Sequence, residues 1–100
     1  MTFDEFKARN MDSVDFEKYV VNNLWRKDFY VGIDMPGYKI RFHITTVNPY
    51  GKTWYTIACE EDTGNGFVEI DQWSDLELSY FRRCVAICYK HNIYTRFFGY

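Results

Sequence analysis

The ten residues from Tyr38 to Val47 constrain this chain more than any other stretch. Tyr38, Ile40, Phe42 and Ile44 fall on one side of an extended backbone, and Lys39, Arg41, His43 and Thr45 on the other. A period of two is incompatible with an amphipathic helix and predicts a half-buried strand. A strand with one apolar face needs neighbours beside it and a layer above it, so an all-helical fold is excluded. Turn signals bracket this strand. Met35-Pro36-Gly37 precedes it, and Asn48-Pro49-Tyr50-Gly51 follows it in the pattern of a type I turn. Phe29 to Asp34 reads as a first strand and Lys52 to Cys59 as a third. The faces of the third are ambiguous, since Trp54 and Ala58 oppose Tyr55, Ile57 and Cys59. Glu60 to Gly66 reads as a polar loop, and Phe67 to Ile70 as a short fourth strand.

Helical signals flank this block. Thr2 and Glu5 spell a capping box before Phe3 and Phe6 share a face, predicting a short helix that ends near Asn10. Asp12 or Ser13 caps a second helix, with Asp15 and Glu17 in its first turn. Its apolar stripe is Phe16, Val20 and Leu24, with Tyr19 and Trp25 alongside and Arg26 and Lys27 at its C-terminal end. Ser74 and Glu77 form another capping box, opening a helix to about His91 with Asn92 as its left-handed cap. Its expected core stripe is Leu76, Tyr80, Cys84, Ile87 and Cys88, flanked by Phe81 and Val85. An inward Ile87 implies that its truncation to Ala costs about 2–4 kcal/mol. Ile93 to Phe98 reads as a closing strand. At 100 residues there is room for one core. The expected architecture is a single α+β domain over 1–100. It is a two-layer sandwich, an antiparallel sheet of about four to five strands packed against two to three helices.

Composition narrows the function classes. Twelve Lys and Arg against fourteen Asp and Glu give a net charge of -2, so a broad basic surface for phosphate backbones is absent. No apolar run approaches the roughly 20 residues of a membrane span, and Met1 to Asn10 lacks the layout of a signal peptide. No membrane partner is expected. Three cysteines cannot complete a disulfide framework, which points to reduced thiols in the cytoplasm. Cys84, Cys88 and His91 share a helix side at spacings of four and three, and Cys59 or His43 would complete a zinc set. That spacing matches no standard zinc signature, and both cysteines also suit a buried stripe. No metal and no cofactor are expected. Cys59 lies beside Glu60, Glu61 and Asp62, which disfavour a thiolate. Neither a nucleophile elbow, a dinucleotide fingerprint nor a Walker loop occurs, and Thr63-Gly64-Asn65-Gly66 is too short for a phosphate cradle. Catalysis is therefore not expected.

Aromatic residues make up 21% of the chain, more than a core of this size readily hides. Exposed Tyr and Trp are typical interface anchors. The leading expectation is a small protein-binding module whose site is Glu60, Glu61, Asp62, Asp71, Trp73 and Asp75. Its acids would engage a basic, nucleic-acid-handling enzyme and block it. In size and composition the chain is similar in style to phage anti-defence proteins (the anti-CRISPR type) and toxin-neutralising immunity proteins, an analogy without a family motif. The alternative is a single-stranded nucleic-acid platform built from Lys39, Arg41 and His43 with Trp54 and Tyr55, cations interleaved with stacking rings.

Overall fold

The strand at Tyr38–Val47, here β2, lies inside a four-stranded antiparallel sheet with β1 (Asp28–Met35), β3 (Trp54–Asp62) and β4 (Phe67–Leu76). The computed structural model describes residues 10–35 and 38–98. The strand order is 1-2-3-4, a simple meander. Two helices, α1 (Ser13–Asn22) and α2 (Leu78–Phe97), pack on each other against one face of the sheet. The α+β two-layer sandwich expected from the sequence is the observed fold. The short helix expected from the Thr2 and Glu5 capping box and the Pro36-Gly37 turn lie outside the described residues.

The alternation of β2 builds the core directly. Ile40, Phe42 and Ile44 are buried, joined by Phe29, Val31 and Ile33 of β1 and by Ile57 and Cys59 of β3. From the helices come Phe16, Val20, Phe81, Val85, Cys88, Tyr89 and Ile93. The Phe16 ring stacks on Tyr89 at 4.2 Å between centroids and tilts against Phe42 at 5.0 Å. Two polar groups enter this core with partners, as burial requires. The Tyr89 hydroxyl donates to the Met11 carbonyl. Asn92 Nδ2 donates to the Cys88 carbonyl at 2.8 Å and to Asp71 Oδ2 at 3.3 Å, tying α2 to β4. At the start of α1, Asp12 Oδ1 accepts from the Asp15 amide at 2.8 Å, so Asp12 rather than Ser13 is the cap of the two the sequence offers.

Several element boundaries differ from the sequence reading. Helix α1 ends at Asn22, and Leu24–Arg26 form a 3-10 turn. Asn23 Nδ2 donates back to the Tyr19 carbonyl, and Lys27 adopts a left-handed φ of 65° before β1. Tyr50 also has a left-handed φ of 57°, which a type I turn does not allow. Glu60, Glu61 and Asp62 belong to β3, not to a loop; the hairpin loop is residues 63–66 only. Ser74 and Glu77 do not open a helix as a capping box, because β4 runs on to Leu76 in register with Tyr55. Two register shifts and a left-handed Asp75 (φ 57°) smear the alternation of β4, which hides its length in the sequence.

The closing strand at 93–98 is absent, because α2 continues to Phe97. Asn92 lies within the helix rather than capping it, and Ile93 is buried as a helical residue. Packing of that face on the sheet overrides the modest strand preference of Ile93, Tyr94 and Thr95. The inward stripe of α2 is also rotated from the expected one. Phe81, Val85, Cys88, Tyr89, Asn92 and Ile93 face the core. Tyr80 and Ile87 face outward, and Ile87 is 59% exposed. The two stripes lie one residue apart and both are apolar, so periodicity alone did not separate them. This reverses the mutational expectation. Ile87→Ala should change stability by less than about 0.5 kcal/mol, as exposed substitutions do. Phe81→Ala should cost about 3–5 kcal/mol. Urea denaturation of both variants checks this register, and comparable losses from the two would contradict it.

Candidate functional site

The polar side of β2 faces away from the helices and carries a cluster centred on Arg41. In register, Arg41 lies between Gly32 on β1 and Glu60 on β3. Its guanidinium is clamped between two rings, 4.1 Å from the centroid of Tyr30 and 3.9 Å from that of Phe67. Its Nε donates to Glu60 Oε1 at 2.5 Å. His43 stacks on the other side of the cluster, 4.2 Å from the Tyr30 ring. Its Nε2 lies 2.6 Å from Asp28 Oδ1, and its Nδ1 lies 4.0 Å from Glu60 Oε2. A carboxylate only accepts, so Nε2 carries the proton in the Asp28 contact. Each cation–ring contact at such a half-exposed place stabilises by about 0.5–1 kcal/mol. The greater consequence is order: Arg41 is held by two rings and a carboxylate before any partner arrives.

Gly32 leaves a gap in this surface, since a Cβ added there would meet nothing within 4 Å. The result is a shallow depression of about 220 Å³, lined by Tyr30, Lys39, Arg41 and Phe67 among others. Tyr30 remains 48% exposed and Phe67 38%. Farther along the same face, Lys52 Nζ lies 4.6 Å from the centre of the Trp54 ring. The face also bears acids: Asp28, Glu60 and, in register with Glu60, Glu69.

The residues expected to form an acidic binding patch are not brought together. Glu60 lies on the open face, bound to Arg41. Glu61 is half-buried, in register with buried Ile40 of β2. Asp62 accepts from the Gly64 amide at 2.9 Å and so shapes the hairpin loop. Asp71 accepts from buried Asn92 across the helix-facing side of β4. Trp73 is half-buried against the core rather than offered as an anchor. Asp75 is exposed at the left-handed position in β4. Of the alternative set, Lys39, Arg41 and His43 share the open face as expected, and Trp54 is half-buried at its far end. Tyr55 belongs to the other side, stacked on Phe81 at 5.0 Å.

Tyr30, Gly32, Asp28 and Phe67 were missed as site residues. For the first three the signal was present, since Phe29, Val31 and Ile33 alternate with them along β1. Cys84, Cys88 and His91 do not converge: Cys88 is buried, Cys84 half-buried and His91 exposed. Among the described residues, no group of three or more His, Cys, Asp or Glu side chains is arranged to hold a metal. Comparison with protein-family models, curated proteins and solved structures finds no match for this chain.

All three cysteines are free thiols. Burial lifts the Cys59 thiol from 9.0 to about 12, with smaller upward pushes from Asp71, Glu60 and Glu61 against the Arg96 charge. Burial also pushes Cys88 and, less deeply, Cys84 upward. A raised thiol disfavours the reactive thiolate, so these are poor nucleophiles at neutral pH. Because the folded value of Cys59 lies above that of the unfolded chain, its contribution to stability is intact below about pH 9 and lost as pH rises toward 12. Thiol titration of the native chain at pH 8 should modify Cys84 alone, with Cys59 and Cys88 reacting only after denaturation. Rapid native labelling of Cys59 or Cys88 would contradict their burial.

Proposed function

We propose that this chain is a protein-binding module that acts through the open face of its sheet and inhibits an enzyme by occupying its surface. The observation that carries the reading is the Arg41 guanidinium fixed between Tyr30 and Phe67 beside the Gly32 depression. Tyr and Arg are over-represented among residues that dominate binding energy, and a pre-ordered side chain loses little freedom on association. The depression offers space for one apolar side chain of a partner, ringed by Lys39, Arg41 and Tyr30. The raised Cys59 and Cys88 thiols are poorly suited to act as nucleophiles, which supports binding over cysteine-based catalysis. Three free cysteines fit a reducing compartment, and we place the protein in the cytoplasm. No helix among the described residues is long and apolar enough to cross a membrane.

The nucleic-acid alternative draws on the same face, where Lys39, Arg41 and His43 lie among stacking rings. It ranks second because Glu60 engages Arg41, Asp28 engages His43, and Glu69 adds a further acid to the face. Phosphate binding on that surface works against fixed negative charge. The two readings separate in one experiment. Tagged chain is used to recover its partner from source cells, and the purified partner is then titrated against variants. A protein partner should be recovered. Tyr30→Ala and Arg41→Ala should each weaken it by about tenfold or more, mainly through faster dissociation, while Ile87→Ala, on the outer side of α2 and so across the sheet from this face, leaves it unchanged. Recovery of nucleic acid alone, released by Lys39→Ala with Arg41→Ala, would replace this reading with the alternative.

A further inference from the structure

β1 and β4 are the two edges of the sheet, and they differ in kind. Every β1 residue pairs with β2 in unbroken register. The Thr46 amide donates to the Lys27 carbonyl at 2.6 Å, so residue 27 stands in a hydrogen-bonded pair with residue 46. Alternation along the strand then turns the backbone N–H and C=O groups of Phe29, Val31 and Ile33 toward β2. Those of Asp28, Tyr30 and Gly32 point to the outer edge. Among the described residues, no backbone hydrogen bond reaches the outward groups of Tyr30 and Gly32.

The segment from Phe29 to Ile33 holds no charge, no proline and no bulge. An uncharged, apolar edge in unbroken register is a template for another strand. β4 carries the opposite features: two register shifts, a left-handed Asp75, and the acids Glu69, Asp71 and Asp75 along its length. Those are devices that turn strands away. Addition of β1 to the β4 edge of another copy, which would propagate without end, is thereby disfavoured. Pairing of β1 with β1 closes on itself about a two-fold axis.

We infer that β1 is a homodimer edge, on which a second copy of this chain pairs antiparallel through Tyr30 and Gly32. The two four-stranded sheets then form one continuous sheet. In this register the Tyr30 of one copy stands opposite the Gly32 of the other, and the reverse. Each of the two pairs exchanges both of its N–H···O bonds. The strand is its own complement, because its bulkiest open-face residue meets the residue with no side chain, over space where a Cβ touches nothing within 4 Å. The second copy then covers the Gly32 depression, so the dimer and the partner-bound chain are alternative states of this face. Val31 meets its own copy on the helix-facing side. A net charge of -2 per chain opposes the association only weakly, but the same register sets Asp28 of one copy opposite Asp34 of the other, a like-charge pair at each end that opposes it further.

Sedimentation velocity of the full chain across a concentration series, with residue-resolved amide exchange, tests this. The expected result is a mass of two chains at high concentration, with the Tyr30 and Gly32 amides protected alongside those of Phe29, Val31 and Ile33. Gly32→Pro removes only an outward N–H and leaves the β2 ladder intact. Gly32→Lys charges the edge where the free chain has room. Each should raise the dimer dissociation constant at least tenfold with an unchanged far-ultraviolet circular dichroism spectrum. The wild-type mass and exchange decide the question even where a variant fails to fold. A single-chain mass at every concentration overturns the inference, as does a dimer with unprotected Tyr30 and Gly32 amides or one that withstands both substitutions.

Discussion

Phe42 is the residue on which the two layers meet. It is buried at the middle of β2, with Phe16 of α1 5.0 Å and Tyr89 of α2 5.5 Å from its ring. Burying a ring of that size contributes on the order of 2–3 kcal/mol. More important is what its position fixes. With Phe42 pointing at the helices, Arg41 and His43 must point away from them, because strand neighbours alternate. The same register sets Gly32 and Glu60 beside Arg41, and Tyr30 beside His43. Core and open face are therefore one decision, made by the side-chain period of a single strand.

The open face meets a physical demand of its own. A sheet face without a covering layer leaves aromatic rings and cations next to water and to one another. Here they satisfy each other: rings flank the guanidinium, and carboxylates engage Arg41 and His43. Arg41 and His43 each face a carboxylate there. The result is a surface distinguished by shape and by ordered side chains rather than by field. Such a surface suits recognition of another protein more than attraction of a polyanion. On the other side of the sheet, burial withholds Cys59 and Cys88 from reaction.

What the sequence disclosed follows from how local each signal was. The meander, the bounds of β2 and the cap at Asp12 rest on short-range patterns, and the structure has them. The Lys39, Arg41 and His43 face was legible for the same reason. Signals that depend on tertiary packing were not. Both the Tyr80–Cys84–Ile87 and Phe81–Val85–Cys88 stripes of α2 are apolar, and only docking on the sheet selects the second. Ile93 to Phe98 has strand-like composition, yet helical continuation buries Ile93 and lets Asn92 reach Asp71. Bulges erased the alternation of β4 and set Glu69 and Asp71 on opposite faces, while plain alternation along β3 separates Glu60 from Glu61. Phe67 joins the site through a register no local pattern encodes.

The ordered state of Arg41 is the claim on which the rest stands, and nuclear magnetic resonance of its side chain reads it directly. Ring currents from Tyr30 and Phe67 at 4.1 and 3.9 Å should move the Arg41 side-chain protons well upfield. The bond to Glu60 should slow exchange of its Nε proton. Tyr30→Leu and Phe67→Leu should each remove part of the shift. Averaged, solvent-like shifts for Arg41 in the wild-type chain, unaffected by either substitution, would contradict a pre-formed site on this face.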